Sequence, residues 1–153
     1  MEIVFATNNF NKVKEVAALL KGVASIKSLQ DIGCAEELEE SQDTLEGNSL
    51  QKASYVAEKY NVSCFADDTG LEVDALNGEP GVFSARYAGP ARSAAENVKK
   101  VLLKLKDNVH RSAHFRTVIT LILNGEVHTF IGSVEGTIAE KESGTEGFGY
   151  DPI

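Results

Sequence analysis

The run Cys64-Phe65-Ala66-Asp67-Asp68-Thr69-Gly70 constrains the fold more than any other stretch of the chain. Three apolar residues lead directly into two adjacent carboxylates, a hydroxyl and a glycine. That is the pattern of a buried strand which ends by delivering acids into a cleft. Burying an acid is costly, and neighbouring carboxylates raise each other's pKa unless a cation or hydrogen-bond donors hold them. Such a pair at a strand end suits metal binding or proton chemistry. The same residues also make a polar turn, for which Asp-Thr-Gly is ordinary chemistry.

The flanking segments bear on the choice. Glu2 to Ala6 reads as a short buried strand, and Thr7-Asn8-Asn9-Phe10-Asn11-Lys12 follows as a loop whose side chains nearly all hydrogen-bond. Val13, Val16, Ala17 and Leu20 then recur at i, i+3, i+4 and i+7, which predicts a helix that Gly22 is placed to end. A strand, a polar loop and a helix N-terminus with a lysine in its first turn form an anion site, because free amides and the helix dipole point at the loop. The loop has no glycines and so is not a Walker loop; asparagine-rich capping explains the same residues.

After a strand expected at Ser25 to Leu29, the segment Glu36 to Asp43 is strongly acidic, and such runs are normally solvated loops. A second helix is expected from near Thr44 to about Tyr60, with Leu45, Ser49, Ala53, Val56 and Tyr60 on its core side. Thr44, Asn48 and Lys52 sit four apart on one polar stripe rising from the acidic segment. Glu40 and Lys52 can therefore flank one cleft, although a surface stripe reads the same way.

Beyond the strand through Asp67 comes Leu71 to Leu76, and Asn77 to Gly81 is a turn by composition. Ser93 and Glu96 have capping-box spacing ahead of a helix built on Val98, Val101, Leu102 and Leu105. Ala113 to Leu123 are strand formers, Asn124-Gly125 is a tight-turn signal, and Val127 to Ala139 supplies the partner of a hairpin. Helices between strands with a late antiparallel hairpin predict an α/β fold. The expectation is a mixed, twisted β-sheet flanked by helices, with an active site in a central cleft, in a single domain over residues 1–153.

Charge narrows the partners. A formal charge of -8 and a pI near 4.9 oppose gripping the phosphates of a nucleic acid, which needs clustered lysine and arginine. A single small phosphorylated ligand remains compatible, because a divalent cation bridges acids to phosphates. Cys34 and Cys64 have no paired spacing, which points to a reducing compartment and no zinc site. With no basic leader and no run of eighteen apolar residues, the expectation is a cytoplasmic chain with no membrane partner. The three histidines suggest no role. Near the end, Gly147-Phe148-Gly149-Tyr150-Asp151 does not follow dinucleotide-fingerprint order, and suits a loop that stacks on a flat ring and hydrogen-bonds its edge.

Taken together, Thr7-Asn8-Asn9-x-x-Lys12, Thr44-Leu45-Glu46-Gly47-Asn48, Ala66 to Gly70, Pro80 to Tyr87 and Gly147 to Pro152 closely resemble the inosine triphosphate pyrophosphatase family. The resemblance spans the chain and keeps the family's motif order. It implies a homodimeric, magnesium-dependent enzyme that converts ITP, dITP and XTP to monophosphate and pyrophosphate, cleansing the nucleotide pool. Residue by residue, it implies that Thr7, Asn8, Asn9, Phe10, Asn11 and Lys12 hold the triphosphate and that Lys52 reaches it from the second helix. Asp68 becomes the catalytic base and, with Glu40, a magnesium ligand; Glu39 is the alternative register. Thr69 touches the substrate, and Phe148, Gly149, Tyr150 and Asp151 pack on base and sugar. The family pattern continues past Asp151-Pro152 with a strand, a lysine and a Ser-His-Arg segment that are not among these residues, so the domain is expected to be incomplete at its C-terminus.

Two rivals stand beside this reading. An aspartyl-phosphate phosphatase of the haloacid-dehalogenase type needs Asp-x-Asp, and here the acids are adjacent. A nucleotide-binding module or inactive dimerising fragment is the alternative from another class.

Overall fold

Order begins at β1 (Glu2–Phe5), and the helix after it, α1 (Phe10–Leu19), starts three residues earlier than the apolar spacing predicts. The cause is Asn9, whose side-chain oxygen caps the helix by accepting from the amides of Asn11 and Lys12 at 3.0 and 3.2 Å. The computed structural model describes all residues from Met1 to Ile153. The chain continues through β2 (Ser25–Lys27), α2 (Leu45–Tyr60), β3 (Cys64–Val73), α3 (Ala94–Lys104), β4 (Ser112–Leu123) and β5 (Glu126–Thr137). Short 3-10 turns lie at Gln30–Ile32, Asp74–Leu76 and Gly81–Arg86. No helix is long and apolar enough to cross a membrane.

The sheet has the order β2-β1-β3-β4-β5. β1 runs parallel to both β2 and β3. β4 and β5 form a hairpin over Asn124-Gly125, both at positive φ as a two-residue turn of this hand requires. The sheet is therefore mixed, as expected from the sequence.

The chain divides into two compact units, Met1–Asp68 with Val118–Ile131, and Thr69–Thr117 with Gly132–Ile153. In the first, strand alternation sorts the core into two layers. Ile3, Phe5 and Phe65 pack with Val13 and Val16 of α1, with the Phe5 and Phe65 rings stacked 4.4 Å apart. Val4, Ala6, Cys64 and Ala66 face Ala53 and Val56 of α2. α1 and α2 thus cover opposite faces, and the strand order reverses between β1 and β3. Open α/β sheets place ligands at such a reversal, outside the C-terminal ends of the strands.

In the second unit, Val98 and Val101 of α3 and Leu105 just after it pack with Leu71, Val73, Tyr87, Ala113, Ile138 and Tyr150. Ser93 caps α3 by accepting from the Glu96 amide at 3.3 Å, as its spacing predicts.

Two elements depart from the sequence expectation. β3 does not end at its acids but runs through Asp67, Asp68, Thr69 and Gly70 to Val73. Gly70 is present for a close approach: a Cβ there would lie 2.5 Å from the Gly81 carbonyl oxygen. The stretch 71–76 is accordingly the tail of β3 followed by a 3-10 turn, not a separate strand.

Candidate active site

The site is built where β1 stops. The last parallel pair between β1 and β3 is Phe5 with Phe65, and the Ala6 amide donates to the Phe65 carbonyl at 2.7 Å. Asp67 and Asp68 lie past that point, carried beyond the end of β1 by the continuing strand. Their side chains alternate as strand residues must. Asp67 follows Phe65 onto the α1 face, where its Oδ2 accepts from Lys12 Nζ at 2.5 Å. Asp68 follows Ala66 onto the α2 face, where its Oδ2 accepts from Asn48 Nδ2 at 3.0 Å.

α2 delivers the second cation. Thr44 caps it by accepting from the Gly47 amide at 3.0 Å, and the polar stripe of Thr44, Asn48 and Lys52 then turns inward, leaving Lys52 only 5% exposed. A buried ammonium needs partners. Lys52 Nζ donates to Glu40 Oε1 at 2.7 Å and to the Asp67 carbonyl at 2.6 Å. Glu40 is half-buried, whereas Glu39 is exposed.

Thr7, buried at the end of β1, accepts from the Asn9 amide at 3.1 Å. Asn8 reaches across to the acidic segment, donating to the Glu36 carbonyl at 3.1 Å and accepting from the Leu38 amide at 2.8 Å. Phe10 and Asn11 are exposed on the first turn of α1, with Lys14 Nζ 4.6 Å from the Phe10 ring centroid.

These groups bias one another. Burial raises the pKa of Asp68, and the nearby Glu40 carboxylate pushes it further; Lys52, the Asn48 amide and Lys12 pull the other way. Glu40, Asp67 and Asp68 outnumber Lys12 and Lys52 by one charge. Nowhere do three His, Cys, Asp or Glu side chains converge into a protein cage for a metal. Two repelling oxygen donors, Glu40 and Asp68, instead fit a hard cation such as magnesium, which takes one or two carboxylates and completes its shell with phosphate oxygens and water.

The first unit thus gathers Thr7, Asn9, Lys12, Glu40, Lys52 and Asp68. Thr69 and Phe148 to Asp151 belong to the second. Thr69 Oγ1 lies 2.9 Å from Thr117 Oγ1. Residues 148–151 form a turn in which Asp151 Oδ2 accepts from the Phe148 amide at 2.8 Å, and the Asp151 amide donates to the Phe148 carbonyl at 3.2 Å. Tyr150 is buried in the core with its hydroxyl donating to the Ser84 carbonyl at 2.7 Å, while Phe148 and Gly149 are half-buried. Sequence reasoning named no partner for Lys12 or for Asp68; these are Asp67 and Asn48. Their signals were faint but present: the odd member of an acidic pair, and an amide one turn before a lysine on the same stripe.

Residues 3–153 match the Ham1 family. The chain belongs to the Ham1 family. It is 55% identical over 153 residues to the dITP/XTP pyrophosphatase of Flavobacterium johnsoniae, covering 100% of this chain and 80% of that one. It is 46% identical over 156 residues to the dITP/XTP pyrophosphatase of Bacillus subtilis, covering 99% and 79%. Among solved structures, the Staphylococcus aureus Ham1 protein superposes with a TM-score of 0.86 at 40% identity, and a HAM1 protein from Coxiella burnetii with 0.88 at 38%. Each alignment covers 100% of this chain and 80% of the other. The mixed five-stranded sheet flanked by helices is the fold this Ham1 chain shares with them.

Proposed function

We propose that this chain is a nucleoside-triphosphate pyrophosphatase that hydrolyses dITP, XTP and ITP to the monophosphate and pyrophosphate with magnesium as cofactor. The observation that carries the proposal is the convergence of Asp68, Glu40, Lys52 and the Lys12–Asp67 pair at the end of β1. It is supported by 55% identity to a protein named a dITP/XTP pyrophosphatase.

In this mechanism Lys12 and the loop from Thr7 to Asn11, at the positive end of the α1 dipole, receive the phosphates. Glu40 and Asp68 would hold magnesium, which when bound would offset the charge that builds on the phosphoryl oxygens. Lys52 balances Glu40 and adds positive charge beside Asp68. Asp68 accepts the proton of a water aimed at the α-phosphorus. The water oxygen bonds to that phosphorus, the α–β bridging bond breaks in line, and pyrophosphate leaves with the electron pair. The assignment of Phe148, Gly149, Tyr150 and Asp151 to base and sugar, and of Thr69 to the substrate, rests on the family's motifs. The same reading makes the protein a cytoplasmic homodimer.

The test is pyrophosphate release from dITP, XTP and dATP, with magnesium and with excess chelator. Release from dITP and XTP that exceeds dATP and stops with chelator is the expected result; magnesium-independent release, or none, contradicts the proposal.

A further inference from the structure

Both polar ends of the Asn8 side chain are engaged by the backbone of a segment far away in sequence. Nδ2 donates to the Glu36 carbonyl and Oδ1 accepts from the Leu38 amide. Immobilising an exposed side chain costs conformational entropy, so the strap is worth having only where the segment it holds must stay in place.

Other contacts fix the same segment. The Glu36 carboxylate accepts from Cys34 Sγ at 3.2 Å, Tyr60 Oη at 2.9 Å and Tyr55 Oη at 3.3 Å, and pairs with Lys59. Leu38 is buried with Val56 in the core under α2. Downstream, the Ser41 amide donates to Gln51 Oε1 at 3.0 Å, and the Gln42 amide to Asn48 Oδ1 at 2.9 Å. Glu40 lies between these anchors. An acidic run that composition describes as a solvated loop is therefore tied down on both sides of the Glu40 carboxylate, which accepts from Lys52. Of the anchors, Asn8 alone comes from the loop between β1 and α1.

We propose that Asn8 is a positioning residue for metal binding: it clamps the Glu36–Leu38 backbone to the β1–α1 loop so that the Glu40 carboxylate is presented beside Asp68. Its side chain, engaged at both ends by that segment, acts on the metal through Glu40. The inference rests on the reading of Glu40 as a magnesium ligand.

Manganese serves as the probe, titrated by electron paramagnetic resonance without nucleotide into the wild type, Asn8→Ala, Glu40→Gln and the double variant. Melting temperatures confirm that each is folded. Asn8→Asp, which keeps the acceptor for the Leu38 amide but loses the donor, replaces the alanine variant if that one does not fold. Loss of a group that orients a ligand typically weakens metal binding about 10- to 100-fold. The expected result is a loss of at least about tenfold in Asn8→Ala and in Glu40→Gln, with no further loss in the double variant. In turnover assays, added magnesium should restore the rate of Asn8→Ala. Wild-type manganese affinity in Asn8→Ala beside a weakened Glu40→Gln overturns the role of Asn8 alone, as does an additive loss in the double variant. Unchanged affinity in Glu40→Gln overturns the metal reading itself and this inference with it.

Discussion

Asp67 and Asp68 are adjacent in the chain yet serve opposite faces of β3, the first accepting from Lys12 at 2.5 Å and the second from Asn48 at 3.0 Å. They are therefore not interchangeable. Asp68→Asn keeps an oxygen for the Asn48 amide but removes the charge and the basic site. Turnover is expected to fall at least about a hundredfold, the scale of a lost general base, with the melting temperature preserved. Steady-state kinetics beside thermal melting checks this, and near-normal turnover contradicts the role of Asp68.

Gly47 sits in the first turn of α2, where alanine would ordinarily stabilise a helix by about 1 kcal/mol. Here a Cβ would lie 2.7 Å from Gln42 Cβ and 3.1 Å from Thr44 Oγ1, and overpacking of that kind costs about 1–3 kcal/mol. The clash wins. Gly47→Ala is expected to lower the urea midpoint; a raised midpoint would show that the acidic segment yields without cost.

The Lys59 ammonium and the Cys34 and Tyr60 donors hold the Glu36 carboxylate well below the usual glutamate range. A depressed acid stabilises the fold above its unfolded-state pKa and loses that contribution as the pH falls toward the folded value. Glu36→Gln should therefore melt below the wild type at pH 7, and the gap should narrow in acid. A gap that is constant with pH contradicts this.

Tyr150→Phe removes the hydroxyl bonded to the Ser84 carbonyl, which also accepts from Asn97 Nδ2 at 3.3 Å. Because the acceptor keeps a partner, the expected cost is about 1 kcal/mol in chemical denaturation. A loss several times larger would mean that Tyr150 holds the 148–151 turn in place.

Much of this architecture was legible in the sequence because its signals are periodic or local. α2 shows its core side at Leu45, Ser49, Ala53 and Val56 and its cap at Thr44. Ser93 marks α3, and Asn124-Gly125 the hairpin. Composition failed where a polar residue is buried for a tertiary reason. Asp-Asp-Thr-Gly reads as a turn, but the strand is continued through it, and only the Gly81 carbonyl reveals why Gly70 is needed. The stripe carrying Asn48 and Lys52 looks solvated because its partners, Asp68, Glu40 and the Asp67 carbonyl, come from other segments. Tyr150 reads as a stacking aromatic, yet its ring packs in the core under α3, which no local pattern reports.

Hydrolysis of dITP in oxygen-18 water reads directly whether the attacking water bonds to the α-phosphorus, where Asp68 is proposed to aim it. Attack at either the α- or the β-phosphorus yields the same monophosphate and pyrophosphate, so only the position of the label separates them. Mass spectrometry is expected to find one heavy oxygen in the deoxyinosine monophosphate and none in the pyrophosphate. The label in the pyrophosphate, or orthophosphate as the first product, would exclude attack at the α-phosphorus.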